Sequence, residues 1–189
     1  MFYDQHSAAD HVDVMAGGVL YRVFLLESSL QVDVSFWPED QFRATEPGFR
    51  LLFGSPQPAT EPRPMDRSHA IGMAWLYALH ARSAIARGRT WQAVMMLDHL
   101  RDQVLVLGCL RHGFNPHHGR EADRLPSELL DSLARARATS TGLSELARSN
   151  AALLQLLVAE VEVHDSDLAR RLAVPLSILA RDRSQLASS

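Results

Sequence analysis

Lysine is missing altogether: the 19 basic residues of this 189-residue chain are all arginines. Chemistry that needs a lysine amine is therefore excluded, both the P-loop lysine that reaches nucleotide phosphates and the Schiff-base lysine. Cysteine is nearly as scarce. The one cysteine, Cys109, cannot form an internal disulfide, so nothing favours an oxidising compartment. No run approaches the roughly 18 uninterrupted apolar residues of a membrane span. Residues Met1 to Asp13 carry Asp4, Asp10, Asp13 and two histidines where a secretory signal would have a basic start and an apolar segment. The expectation is a cytoplasmic protein without a membrane partner. A net charge of −3 gives no overall field to recruit nucleic acid.

What is present is an ordinary globular composition, 47% hydrophobic and 22% charged, rich enough in apolar side chains to bury a core. Two β-like runs come first. Gly18 to Leu26 is rich in β-branched and aromatic residues. Leu30 to Phe36 alternates, with Leu30, Val32, Val34 and Phe36 on one face and Gln31, Asp33 and Ser35 on the other. Glu27, Ser28 and Ser29 between them suit a hairpin connection, and Trp37-Pro38 ends the second strand. A two-stranded hairpin is marginal in water, so more sheet must come from the first seventeen residues, the helices or a partner chain.

Five of the nine prolines fall between Pro47 and Pro64, and residues 54–67 read as a linker. The remainder reads as helical. His69 to Arg87 puts Ile71, Trp75, Ala78 and Leu79 on one side and stops at Gly88. Trp91 to His112 follows Thr90 as a candidate N-cap and stops at Gly113. A short helix follows Ser127. The clearest stripe is Leu143, Leu146, Ala147, Asn150, Leu154, Leu157, Val158 and Val161, and a last helix from about Ser166 meets Pro175, which should interrupt or kink it. The methionines and tryptophans Met73, Trp75, Trp91, Met95 and Met96 read as core packing. The expected class is α+β: a partial sheet over residues 1–53, the linker, a bundle of four or five helices over 68–183, and a fraying tail at 184–189.

Asp33 is the most informative position. An aspartate between Val32 and Val34, in what reads as a central strand, opposes β-propensity, and a half-buried carboxylate is costly unless paired or bound to metal. The alternative is that it points to solvent with Gln31 and Ser35. Around it, Tyr21-Arg22-Val23-Phe24-Leu25, then Leu30-Gln31-Val32-Asp33-Val34-Ser35-Phe36, then Phe42-Arg43, resemble the third-carboxylate strand of bacterial nucleotidyltransferases related to polymerase beta. Trp91-Gln92-Ala93, Arg101-Asp102, Cys109-Leu110-Arg111-His112-Gly113 and Asp123-Arg124-Leu125-Pro126 resemble the helical domain of the same group, which includes the aminoglycoside and lincosamide enzymes. The ordered pieces span residues 10 to 165.

The resemblance implies transfer of a nucleoside monophosphate from a nucleoside triphosphate such as ATP to a hydroxyl of a small acceptor. Mg²⁺ would be held by three aspartates, of which Asp33 would be the third. The family's Gly-Ser turn and following Asp-x-Asp have no counterpart before the hairpin. Gly54-Ser55 comes after Asp33 and runs into Pro56, and Asp10 and Asp13 are spaced so that an extended strand puts them on opposite faces. The chain reads as beginning after that motif, with weak or no transfer activity alone. The family's Trp-Gln-Ala is followed by a glutamate, the candidate base for the acceptor hydroxyl. Val94 stands there, and Asp98, one turn on, is the candidate replacement.

Two rival readings belong to other classes. One is a non-enzymatic interaction protein that oligomerises through its exposed hairpin edge. The other is a helical ribonuclease, because the five residues between Arg111 and His117 match the loose arginine–histidine spacing of the HEPN ribonucleases. His112, His117 and His118 are too few, and too loop-bound, for a zinc site. Together with Arg111 they also suit a solvated helix C-terminus.

Overall fold

Three antiparallel strands open the chain in the order β1 (Ala8–Ala16), β2 (Val19–Leu26) and β3 (Gln31–Phe36), with β2 in the centre. The structure, a computed structural model, describes residues 7–44, 48–58 and 65–181. The extra strand comes from residues before Gly18, one of the three sources expected for it. It alternates as a strand should, Asp10, Val12 and Val14 against His11, Asp13 and Met15. Gly17 and Gly18 turn it back into β2 with φ of 59° and 83°, the positive pair that a two-residue hairpin connection demands. Val12 lies opposite Val23 and Asp13 opposite Arg22, with an irregularity between Ala8 and Asp10. At the next turn Ser29 takes φ 64°, and the Leu26 N–H donates to Leu30 O at 2.9 Å.

The chain divides into two compact units, Met1–Arg63 and Pro64–Ser189. Within the first, Arg43 pairs with Gln57 in an isolated bridge, the Gln57 N–H donating to Phe42 O at 2.7 Å. Residues 54–58 thus belong with the sheet unit, and the segment read as a linker begins later than expected. Its middle, residues 59–64, lies outside the described residues, as do the first six residues and the tail 182–189.

The second unit holds five α-helices: α1 (Arg67–Ala86), α2 (Thr90–His112), α3 (Ser127–Ala136), α4 (Leu143–His164) and α5 (Ser166–Ala180). Together the two units make an α+β protein. Asp66 caps α1, its carboxylate accepting the Ser68 N–H at 2.9 Å. Thr90 is the first helical residue of α2 and not its cap, which is Arg89 without a side-chain bond. Gly113 ends α2 in the left-handed region at φ 70°. Helix α5 runs on through Pro175 to Ala180, where the sequence suggested an interruption.

An alanine face on α1 (Ala70, Ala74, Ala78, Ala81 and Ala84) lets α2 and α4 approach closely. Against it pack Leu97, Leu100, Val104 and Leu107 of α2, and Leu146, Leu153, Leu154, Leu157 and Val161 of α4. Each leucine so enclosed contributes roughly 1.5–3 kcal/mol. Trp75 and Leu79 of the expected α1 stripe, and Leu143 of the α4 stripe, are exposed, as are Trp91 and Met95, which the sequence reading had placed in the core. Among the described residues no helix is long and apolar enough to cross a membrane.

Candidate functional site

Asp33 stands on an outer strand, and its side chain is exposed. The sequence reading put it in a central, half-buried strand. That changes because β1 takes the other side of β2 and leaves β3 at the edge, so burial does not force a partner on this carboxylate. The register sets Asp33 opposite Val23, and Val23 opposite Val12. Asp33 therefore shares a face with Val12, Val14, Tyr21, Val23 and Leu25, not with polar residues alone. Both carboxylate oxygens accept from Gln31 Nε2, at 2.9 and 3.0 Å.

Asp13 shows the contrast. Arg22 Nε and Nη2 donate to its two oxygens at 2.6 Å each, and these bonds, more than the guanidinium charge, hold its pKa below the ordinary value. Asp10 lies on the Asp33 face and Asp13 on the other, so the two flank no common point. Asp10 is separated from β3 by β2, roughly two strand spacings or 9.6 Å. Among the described residues no three His, Cys, Asp or Glu side chains gather so as to hold a metal ion.

Asp98 occupies a different setting, in the helical unit. With Trp91, Val94 and Arg101 of α2 it lines a cavity of about 200 Å³ closed by residues 137–141 and by Ser149 and Leu153 of α4. Arg101 Nη1 donates to Asp98 at 2.7 Å and Nη2 to Asp102 at 2.8 Å. The connection from α3 to α4 is held in place by one ion pair. Arg148 bonds Glu145 at 2.8 Å through both Nε and Nη2, and it also donates to the carbonyls of Arg135 and Arg137. Glu145 in turn accepts the Thr139 N–H and hydroxyl, at 2.9 and 3.1 Å. The Arg148 bonds first, then the Thr139 N–H, pull the Glu145 pKa down to about 2. At the floor of the cavity Ser149 is 1% exposed, and its Oγ has no hydrogen-bond partner among the described residues.

Arg111 and His117, the pair behind the ribonuclease reading, have different surroundings. Arg111 Nε and Nη2 donate to the two oxygens of Glu160 on α4, at 3.0 and 2.9 Å. His117 and His118, with ring centres 4.0 Å apart, line a separate cavity with Asp102, Cys109 and Pro116 that does not include Arg111. Burial raises the Cys109 thiol pKa, so it is not an activated nucleophile. Beside the Arg111–Glu160 pair, His164 Nε2 is buried without a hydrogen-bond partner among the described residues. Desolvation, then the charge of Arg67, lowers its pKa despite Glu160.

The sequence reading passed over Ser149 and Glu160. Their signal was available: each falls on the buried stripe of α4, where a polar residue among leucines needs a partner or a ligand. No protein-family model matches the chain, and no curated protein matches it either.

Proposed function

We infer that the chain is a nucleotidyltransferase-like protein, of the kind that moves a nucleoside monophosphate from a nucleoside triphosphate to a hydroxyl of a small acceptor. The observation that carries this reading is the state of Asp33. Among the described residues its carboxylate, on an outer strand, is bonded by a neutral amide and by no cation, while Asp13 on β1 is paired with Arg22. A carboxylate on an outer strand with no cation bonded to it among the described residues suits a hard metal ion that prefers oxygen ligands. The ordered resemblance along both units supports the same assignment.

The described residues near Asp33 do not complete a Mg²⁺ site. One carboxylate stands where paired ions need several. The further ligands would have to come from a strand added at the free edge of β3. The chain alone is accordingly expected to transfer weakly or not at all. Asp98, already bonded to Arg101, is the candidate base for the acceptor hydroxyl.

The test uses Mn²⁺ as a paramagnetic probe. Its addition should broaden the amide resonances of residues 31–35 in the wild type and leave them sharp in Asp33→Ala. Equal behaviour of the two proteins would remove Asp33 as a ligand. Transfer from labelled ATP is the companion assay, and any Mg²⁺-dependent signal should vanish in the same variant.

A second reading rests on the sheet edges. β1 and β3 are both outer strands, and Val12, Val14, Met15 and Phe36 are exposed on them, which suits pairing with another strand, including one from a second copy. Light scattering that finds only monomer at micromolar concentration rejects self-association.

A further inference from the structure

The cavity beside α2 has a gradient of character from mouth to floor. At the mouth stand Trp91, 73% exposed, and Arg137, also exposed. Of the three charged groups that line it, Asp98 and Arg101 are bonded to each other, leaving Arg137 as the guanidinium with no carboxylate partner among the described residues. The walls deeper in are the apolar side chains of Val94, Leu97 and Leu153. At the floor lies the Ser149 hydroxyl, buried and unpartnered. Such a group loses its bonds to water on folding and recovers them only from a ligand or an ordered water.

Size narrows the choice. A void of roughly 150 Å³ accommodates a benzene ring. The present cavity, at about 200 Å³, takes one ring and a small substituent at each end. We propose that it binds a hydroxylated aromatic carboxylate, with the carboxylate on Arg137, the ring between Trp91 and the leucines, and the hydroxyl bonded to Ser149 Oγ. The Glu145–Arg148 clamp fixes the backbone of residues 135–139, so the cation is presented without ordering a free loop on binding.

The site is independent of Asp33, and its failure leaves the metal-ligand reading where it stands. Titration of the full chain with para-hydroxybenzoate, benzoate and para-hydroxybenzamide, followed by calorimetry, tests it. Saturable binding of para-hydroxybenzoate is expected. The uncharged amide should bind roughly tenfold or more weakly, and Arg137→Gln should erase that difference. Ser149→Ala, which removes an unsatisfied group and so keeps the fold, should weaken para-hydroxybenzoate about threefold to tenfold and leave benzoate unchanged. Absence of saturable binding at millimolar ligand overturns the proposal. So does an affinity for para-hydroxybenzoate that is independent of either side chain.

Discussion

Replacing Arg111 by methionine isolates one of the few buried charges in the molecule. Glu160 is 4% exposed, enclosed among the leucines of α4, and both its oxygens are satisfied by Arg111. Removing the guanidinium while keeping most of its stem leaves a buried carboxylate without a cation. Loss of one partner from such a pair costs about 3–5 kcal/mol. Arg111 is itself 27% exposed, so water reaches its end of the bridge and the lower figure applies, about 3 kcal/mol. At a urea dependence of about 2 kcal/mol/M, that moves the unfolding midpoint down by roughly 1.5 M. Circular dichroism at the helical minimum reads the helical unit that holds the pair. The double variant Arg111→Met with Glu160→Leu should recover about 2 kcal/mol or more, because an apolar pair of similar volume removes the desolvation penalty. A single variant that loses less than about 1 kcal/mol, or a double no better than the single, would refute the assignment of Arg111 to a structural bridge. The outcome also bears on the ribonuclease reading, since a guanidinium free for catalysis would tolerate the change.

His164 makes stability fall in acid. Its folded pKa lies below the ordinary 6.5, so the unfolded chain binds its proton first; the stabilisation is complete above 6.5 and is lost as pH drops through the lower folded value. Urea midpoints at about pH 7.5 and about pH 5 should diverge less in His164→Gln than in the wild type. Gly108→Leu should destabilise by about 1–3 kcal/mol through overpacking, because even a β-carbon there would meet Leu129 Cδ2 at 2.9 Å and the Leu125 methyls at 3.4 and 3.5 Å; thermal melts read it. Asp33→Asn should leave the unfolding free energy within about 0.5 kcal/mol of wild type, as expected for an exposed group bonded to an amide, so that any lost Mn²⁺ response reports the ligand and not the fold.

Periodicity made most of the fold legible. The α4 stripe was readable because leucines recur at helical spacing and Leu146, Leu154, Leu157 and Val161 all end buried. β3 was readable because one face is apolar and the other polar. β1 was not recognised, since its acidic and histidine residues at 10, 11 and 13 break up the valines, and Gly18 of the Gly17-Gly18 turn that identifies it was read as the start of the next strand. The α1 stripe was half right: Ile71 and Ala78 are buried, but Trp75 and Leu79 are exposed, and the other core-facing positions are alanines. Close helix approach selects small residues, and an alanine face is nearly silent to a hydrophobicity pattern.

Site residues were harder to read because a sequence states which groups exist and not which neighbour neutralises them. Asp13 and Asp33 are both aspartates at alternating positions in strands. Only the register shows that Arg22 lies across from Asp13, while Asp33 faces Val23. The same holds for Arg111, whose spacing to His117 gives no sign of Glu160, far along the chain, which accepts from two of its three guanidinium nitrogens. Ser149 is the reverse case: an unremarkable serine by sequence, given meaning by the leucines around it and by a cavity with a lone guanidinium at its mouth. In each instance the deciding fact is a partner supplied or withheld by another element. Functional reasoning about this chain therefore rests on Asp33, which among the described residues has an amide beside it and no cation, and on Ser149, whose buried hydroxyl has no partner there.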